Sequence, residues 1–423
     1  MPFPWPRMRV LVVTVVGTAL MLSAALASQR TPDELSLTDR MVVATRIYAT
    51  VQQYFAHWEG ISRSDFETAY RAYLDQAVRA GTRQDFDLAT LRLIATLRNG
   101  HTHFFDEGQD GRPLKFGLLE IQGRWVVMNS QDSRLRKGDV VESIEGVPIE
   151  DFVRDRVQYV GASNARLARS HVFSSASLIP VRVTVGLDGG GVVVVDRAVD
   201  DAATAARPVR SAEGRWLVEG RVAYLRIPSF NDAAYERAAL EFVRQHESAP
   251  NMIVDLRGNG GGSTPWQLIA VLMNRPWRSW QEVTPQHTAL FEAQGLPATQ
   301  LLRQSRTISP QRGPYSGRVF LLVDRFCGSA CEDVVMPFKD NGRGMILGET
   351  TQGSSGQPYR TDLGHGMSLM VGAVRYSFPD GAPFEGIGIA PDVVVEPTLA
   401  DVKAGRDAVL ERARALATVP APN

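Results

Sequence analysis

A serine at position 329 stands between an apolar run and a helical pattern. The run Val319–Asp324 predicts a buried strand, and Cys327-Gly-Ser-Ala-Cys-Glu332 begins the helix that follows. A side chain at such a turn stands clear of the sheet, beside the free N–H groups of the first helical turn. Ser329 is therefore a candidate nucleophile, although a serine at this place can also simply cap the helix.

The only two cysteines of the chain, Cys327 and Cys331, flank this serine. Residues four apart on a helix can come within reach of each other, but disulfide geometry is demanding and requires local distortion. In an oxidising compartment a bridge is expected, and the alternative is two small buried thiols that pack the turn. A bridge would stiffen the turn that carries Ser329.

Two histidines, His101 and His103, lie on one face of a predicted extended segment. A metal pair is disfavoured, because no cysteine is near and the chain has no His-Glu-x-x-His helix. Imidazole titrates near neutral pH, so one of the two better serves as general base for a serine. The other histidines are expected to lie on helix surfaces or in loops without a role: 57, 171, 246, 287 and 365.

A glycine-rich loop, Gly258-Asn-Gly-Gly-Gly262, follows the predicted buried strand Met252–Arg257. It lacks the lysine of a Walker loop, and the third glycine of a dinucleotide fingerprint would fall on Ser263. Bare N–H groups after a strand can receive a developing oxyanion, because no Cβ blocks the substrate. A tight turn without function is the alternative.

The pattern along the chain predicts several units in sequence. Helical spacing dominates 39–98, short β-rich pieces follow, and strands alternate with helices from about residue 214. Within the β-rich part, Lys137–Ile149 looks like a segment of a PDZ domain, which would either bind an extended peptide or serve as a spacer. The predicted units are a helical subdomain (34–110), a PDZ-like domain (113–200), an α/β core (214–400) and a C-terminal helix and tail (401–423).

Residues 1–27 have the features of a secretory signal peptide. Arg7 and Arg9 precede an apolar stretch, and Ala25-Leu-Ala27 supplies small residues at a cleavage site. An exported protein, periplasmic or secreted, is expected, with an uncleaved membrane anchor as the alternative. No later segment is long and apolar enough to cross a bilayer.

The composition is that of a globular protein of 423 residues with 44% apolar content. Lys plus Arg equals Asp plus Glu at 46 each, so no global field attracts a polyanion. Nucleic acid is therefore not an expected partner.

The order and spacing of these motifs resemble the serine peptidases that include the tail-specific (C-terminal processing) proteases and the core of the tricorn protease. The resemblance covers most of the chain after the signal peptide and implies a crotonase-like α/β core. The segments that carry it are Leu97–Thr102, Tyr224–Phe230, Asp255–Gly262, Gly328–Glu332, Gly348–Gly353 and Glu385–Asp392.

One position departs from the tail-specific branch. Those proteases carry a lysine base directly after the Gly-Glu-x-Thr-x-Gly element, where this chain has Ser354, and Lys339 is predicted to lie on the surface. The chain therefore resembles the tricorn-like branch, which implies His101 as base and Glu385 as the carboxylate that orients it. The serine that precedes the tricorn histidine is replaced by Gly100.

The resemblance implies hydrolysis of peptide bonds in peptides or proteins, through an acyl-enzyme on Ser329. The backbone N–H groups of Gly260 and Ala330 would receive the oxyanion, and no metal or organic cofactor is required. Two alternatives remain. One is a catalytically silent protein that binds peptides or hydrophobic ligands on the same fold, and the other is an esterase, although the Gly-x-Ser-x-Gly elbow is missing.

Overall fold

The computed structural model describes residues 34–109, 111–198, 211–296, 299–311 and 313–419. The predicted signal peptide and the last four residues of the tail lie outside these ranges. Within the ranges, no helix combines the length and apolar character needed to cross a membrane.

Helices and strands follow one another in the order that the motifs indicate. The helices are α1 (Leu37–Tyr54), α2 (Arg63–Arg79), α3 (Arg83–Ala95), α4 (Ile149–Arg156), α5 (Ala165–His171), α6 (Ala233–Gln245), α7 (Trp266–Leu272), α8 (Ala289–Ala293), α9 (Ala330–Asn341), α10 (Leu399–Ala404) and α11 (Ala408–Thr418). The strands are β1 (His103–Asp106), β2 (Phe116–Ile121), β3 (Arg124–Ser130), β4 (Val140–Ile144), β5 (Val147–Pro148), β6 (Arg182–Leu187), β7 (Val192–Asp196), β8 (Glu213–Val218), β9 (Val222–Arg226), β10 (Asn251–Asp255), β11 (Trp277–Arg278), β12 (Gln281–Pro285), β13 (Thr299–Arg303), β14 (Thr307–Ile308), β15 (Arg318–Val323), β16 (Met345–Gly348), β17 (Pro358–Gly364), β18 (Met367–Gly372), β19 (Arg375–Ser377) and β20 (Val393–Val394).

The central sheet has the strand order β20-β16-β15-β10-β9-β8. All neighbours pair in parallel except β8, which is antiparallel to β9. Strand β10 is buried along its whole length, which explains why its sequence is a continuous apolar run. Because parallel strands end at one edge, the loops after β10, β15 and β16 meet there.

Helices cover both faces of this sheet. Apolar residues of α6, α7 and α9 pack on one face, and Val409, Ala413 and Ala417 of α11 pack on the other. Those three residues are spaced at intervals of four, so they form one helical stripe. The C-terminal helix is therefore a layer of the α/β core.

The N-terminal helices complete their hydrophobic core with a distant hairpin. Side chains of α1, α2 and α3 pack against Leu363, Met367, Leu369 and Val371 of β17 and β18. Strand β1 pairs antiparallel with β18, with His103 opposite Met370. This pairing fixes the segment that contains His101 beside the second half of the chain.

The β-rich region forms a separate sheet of order β2-β3-β4-β6-β7. Strands β6 and β7 pair antiparallel on either side of Asp188–Gly191 and form a hairpin. Arg166 donates to the carbonyl of Thr350 at 2.9 Å, and Asn164 donates to that of Gln352 at 2.8 Å. The segment after α4 thus rests on the loop that follows β16.

Candidate active site

Ser329 lies in a strained backbone conformation between β15 and α9. Its φ is 54° and its ψ is −126°, a region that non-glycine residues rarely adopt. The side chain makes no capping hydrogen bond to the helix. The strain is therefore not explained by helix capping, and it holds the hydroxyl outside the helix.

A disulfide joins Cys327 to Cys331 across this turn, with the Cα atoms 5.4 Å apart. Both side chains are fully buried. Inside the bridged segment, the N–H of Cys331 donates to the carbonyl of Gly328 at 3.1 Å. The covalent link and this short turn together limit the movement of Ser329.

The glycine-rich loop approaches Ser329 more closely than any side chain would allow. A Cβ on Gly261 would lie 2.6 Å from the Cβ of Ser329 and 2.9 Å from the backbone nitrogen of Ala330. The Gly261 N–H donates to Oδ1 of Asn259 at 2.9 Å. The N–H groups of Gly260 and Ala330 have no acceptor in the described part of the chain, so one free donor directly follows Ser329 and a second lies in the loop that contacts it.

Ser354 contacts both His101 and the turn that carries Ser329. Its Oγ lies 3.0 Å from Nδ1 of His101, and its carbonyl accepts the N–H of Ser329 at 2.9 Å. Across the described ranges, no hydrogen bond joins Nε2 of His101 to a partner, and none joins His101 directly to Ser329. Burial, helped by the neighbouring His103, lowers the pKa of His101 to about 4, which favours the neutral ring that a general base needs.

His103 points to a different part of the molecule. Its Nε2 lies 2.7 Å from the carbonyl oxygen of Gly100, and the ring lines a cavity of about 510 Å³ together with His171. No group of three or more His, Cys, Asp and Glu residues suited to a metal ion occurs within the described ranges. Of the two histidines, His101 is the one next to Ser354.

Glu385 is partly buried and makes no hydrogen bond to the ring of His101 in the described residues. Its Oε1 accepts Nδ2 of Asn99 at 3.0 Å and Oγ of Ser163 at 2.7 Å, and its Oε2 accepts the N–H of Ser355 at 2.8 Å. Burial raises the pKa of Glu385 to about 7, against the effect of these hydrogen bonds. These donors occupy the carboxylate, and Oγ of Ser354 lies beside Nδ1 of His101, so no hydrogen bond joins Glu385 to the ring in the described residues.

Ser163 and Ser354 fill the space beside Gly100. A Cβ on Gly100 would lie 2.4 Å from Oγ of Ser354 and 3.1 Å from Oγ of Ser163. The N–H of Gly100 donates to Oγ of Ser163 at 2.9 Å. Two hydroxyls from remote segments thus occupy the position of the missing serine, and nothing in their local sequence indicates this.

His57 lies in a loop, as expected, but it is buried rather than exposed. Its side chain is buried, neither ring nitrogen makes a hydrogen bond with the described residues, and Nδ1 lies 3.9 Å from Oε1 of Glu385. Burial lowers the pKa of His57 to about 3, and the nearby His101 and Arg375 lower it further. The segment that follows α1 is buried, and it brings His57 next to Glu385.

Glu332, in the first turn of α9, positions the loop that carries Ser354. Its carboxylate accepts the hydroxyl of Thr351 at 2.6 Å and the N–H groups of Gly353 at 2.7 Å and Ser354 at 2.9 Å. Burial raises the pKa of Glu332 to about 8, and the three donors counteract this. The glutamate of the Gly328–Glu332 motif is therefore a positioning residue that the sequence motifs alone did not identify.

Residues 221–395 match the model of the family described as peptidase family S41. The chain carries a peptidase family S41 domain. The resemblance predicted from the motifs is thereby confirmed. Ser329 and Glu385 lie inside the matched range of the S41 model, and His101 lies outside it.

Two curated relatives and one solved structure illustrate the similarity. The C-terminal processing peptidase, chloroplastic, of Tetradesmus obliquus is 25% identical over 274 residues, which cover 62% of this chain and 53% of the relative. The putative tricorn protease homolog 2 of Streptomyces coelicolor is 24% identical over 401 residues, which cover 87% of this chain and 31% of the relative. The chain thus spans about half of the first S41 relative and about a third of the second.

The solved structure is mature CPAF complexed with lactacystin. It aligns with a TM-score of 0.70 at 17% identity and covers 90% of this chain and 98% of that one. At this identity the match shows the fold alone: an arrangement of mixed sheets and helices shared with a structurally characterised protein. The α/β fold class predicted from the sequence is confirmed at that level.

Proposed function

We propose that the chain is a serine endopeptidase that hydrolyses peptide bonds through an acyl-enzyme on Ser329. The observation that carries this proposal is the environment of that residue: a strained serine that packs against the glycine-rich loop and donates its N–H to Ser354, whose hydroxyl lies 3.0 Å from Nδ1 of His101. A nucleophile, a neutral base and an oxyanion site are the groups that acyl transfer requires.

The proposed reaction has two steps. Oγ of Ser329 forms a bond to the scissile carbonyl carbon, His101 takes the hydroxyl proton, and the N–H groups of Gly260 and Ala330 bind the oxyanion. The C–N bond then breaks as His101 returns the proton to the leaving amine. Water attacks the resulting ester in the same way and releases the acid. The step requires a hydrogen bond between Nε2 of His101 and Oγ of Ser329, and catalytic hydrogen bonds often form only in the substrate complex.

The base is proposed to be a histidine because no lysine is placed to act. Ser354 stands after the Gly348–Gly353 element, and Nζ of Lys339 lies 2.6 Å from Oδ1 of Asp392. In the described ranges, Lys339 is thus engaged in a surface ion pair on the far side of α9. This supports the tricorn-like branch, in which a glutamate orients the histidine base. We propose that Glu385 positions His101 through Asn99 and Ser163, which both donate to its carboxylate.

Two finer assignments of fold are part of the proposal. The parallel sheet with helices on both faces supports a crotonase-like core, and the sheet of β2, β3, β4, β6 and β7 supports a PDZ-like domain. The helical subdomain at 34–110 would then form the third unit, joined to the core through β1 and β18.

Export is also proposed, on the basis of the signal-peptide pattern in residues 1–27. The disulfide between Cys327 and Cys331 supports an oxidising compartment, since cytosolic thiols are kept reduced. Cell fractionation followed by N-terminal sequencing tests this. A mature protein in the periplasm or medium that begins near Ser28 is expected, and a cytosolic protein with its first residues intact would contradict it.

The peptidase proposal is tested by hydrolysis of a fluorogenic peptide library with purified wild type and three variants. Ser329→Ala and His101→Ala should each lower kcat by several orders of magnitude, while His103→Ala should stay within a few fold. Thermal unfolding of each variant controls for folding. Retained hydrolysis by folded Ser329→Ala would refute the assignment, and folded wild type without hydrolysis of any peptide would favour the silent binding protein.

A further inference from the structure

A cavity of about 240 Å³ opens directly beside the nucleophile. Its walls come from the glycine-rich loop, the first turn of α9, the segment at 356–358 and strand β19. The residues that matter for its chemistry are Ser329, Asp333, Thr264 and Tyr376. A cavity that shares a wall with Ser329 can receive a substrate side chain next to the carbonyl that the serine attacks.

Asp333 places a carboxylate in this cavity. It lies one helical turn after Ser329 and is 6% exposed. Its Oδ2 accepts the hydroxyl of Thr264 at 2.6 Å. Its Oδ1 has no hydrogen-bond donor, and no described Lys, Arg or His lies within ion-pair distance of the carboxylate.

The surroundings of Asp333 leave its charge uncompensated. Burial, together with the nearby buried Glu282, raises the pKa of Asp333 to about 7. The positive charge in this region, Arg303, lies 3.3 Å from Oε1 of Glu282 and pairs with that residue. Among the residues that line the cavity, Asp333 therefore supplies the carboxylate, and its Oδ1 is an open acceptor.

We propose that Asp333 selects a lysine or arginine side chain at the substrate residue whose carbonyl Ser329 attacks. The proposal rests on the peptidase function proposed above. An ammonium or guanidinium group would donate to Oδ1 and neutralise the buried charge, a gain that an apolar side chain cannot supply. An apolar substrate side chain would leave the acceptor buried without a donor, which is the arrangement that gives strong discrimination.

A purely structural role for Asp333 is the competing explanation. The hydrogen bond from Thr264 joins the glycine-rich loop to α9, so loss of this bond would disturb the site for every substrate. Asp333→Asn separates the two roles, because the amide oxygen can still accept the Thr264 hydroxyl while the charge is removed. The matched control is Asp340→Asn, which removes a charge from the same helix at an ion pair with Arg278.

The experiment compares two peptides that differ only in lysine against norleucine at the residue preceding the scissile bond. Wild type and Asp340→Asn should favour lysine in kcat/KM by about 10- to 100-fold, the range for a hydrogen bond to a charged group. In Asp333→Asn the preference should disappear through a slower lysine reaction, with the norleucine rate unchanged or raised. An equal fall for both peptides, or no lysine preference in wild type, would overturn the inference.

A binding measurement keeps this inference separate from the peptidase proposal. Calorimetry on Ser329→Ala should show tighter binding of the lysine peptide, and Ser329→Ala with Asp333→Asn should bind both peptides equally. Equal binding to Ser329→Ala would overturn the role of Asp333. Lysine-selective binding by a chain whose wild type hydrolyses neither peptide would refute the peptidase proposal alone.

Discussion

At the scale of single residues, a hydroxyl and not a carboxylate contacts the ring of His101. For His101 to accept the proton of Ser329 at Nε2, its Nδ1 must carry hydrogen and donate to Oγ of Ser354, which lies 3.0 Å away. The hydroxyl of Ser354 can accept this hydrogen bond, while Glu385 fixes the surrounding chain through Asn99 and Ser163.

We predict that Ser354→Ala lowers kcat about tenfold with little change in KM, because one neutral hydrogen bond that holds the base is lost. Steady-state kinetics on a cleaved peptide measure this. Ser133→Ala, at an exposed serine of the β-rich region, is the control and should match wild type. An unchanged kcat in Ser354→Ala would show that the hydroxyl does not position the base.

We predict that His57 makes stability depend on pH. Its pKa is lowered to about 3 in the folded protein, against about 6.5 in an unfolded chain, so the unfolded state binds more protons between these values. The contribution of His57 is thus present above pH 6.5 and is lost as the pH falls toward 3. Denaturant unfolding of wild type and His57→Gln should show wild type losing up to about 1.4 kcal/mol per pH unit relative to the variant. Parallel pH curves would contradict this.

At the scale of elements, the glycine-rich loop has no space for a side chain at Gly261 but has space for one at Gly260. Gly261 has φ +101° and its Cβ would touch Ser329, whereas a Cβ on Gly260 would meet nothing within 4 Å. We predict that Gly261→Ala destabilises the fold by several kcal/mol or abolishes activity, while Gly260→Ala, which keeps its N–H, retains most of both. Unfolding and kcat/KM of the pair test this, and similar behaviour of the two variants would contradict the loop geometry.

The disulfide is a second feature at this scale. Because the bridge closes only a short loop, we predict that Cys327→Ser with Cys331→Ser lowers the free energy of unfolding by roughly 2 kcal/mol. Without reductant, neither cysteine of native wild type should react with an alkylating agent when the protein is denatured, and both should react after reduction. Alkylation without reduction would show that the thiols are free.

Elements whose own residues show a clear periodicity and turn signals could be predicted from the sequence. The strand before Ser329, the strand before the glycine-rich loop and the hairpin at Asp188–Gly191 each carry their own periodicity and turn residues. The sharing of one core by α1, α2 and α3 with β17 and β18 could not be predicted, because that pairing joins segments more than 250 residues apart, as between His103 and Met370. Local patterns do not specify such partners.

At the scale of the whole molecule, the candidate site is assembled from remote segments of the chain. The motifs indicated Ser329, His101, Glu385 and the glycine-rich loop, each of which has a distinctive local sequence. Ser163 and His57 were missed, since a serine in a β-rich region and a histidine after a helix have no local signal. Their roles depend on tertiary contacts with Glu385, at 2.7 Å and 3.9 Å respectively.

The covalent reactivity of Ser329 tests the central claim most directly. Wild type treated with a fluorophosphonate and digested for mass spectrometry should carry one adduct, on the peptide that contains Ser329. His101→Ala should react much more slowly, because the hydroxyl then has no base. An adduct on another serine, or no adduct on a folded wild-type protein, would contradict the account.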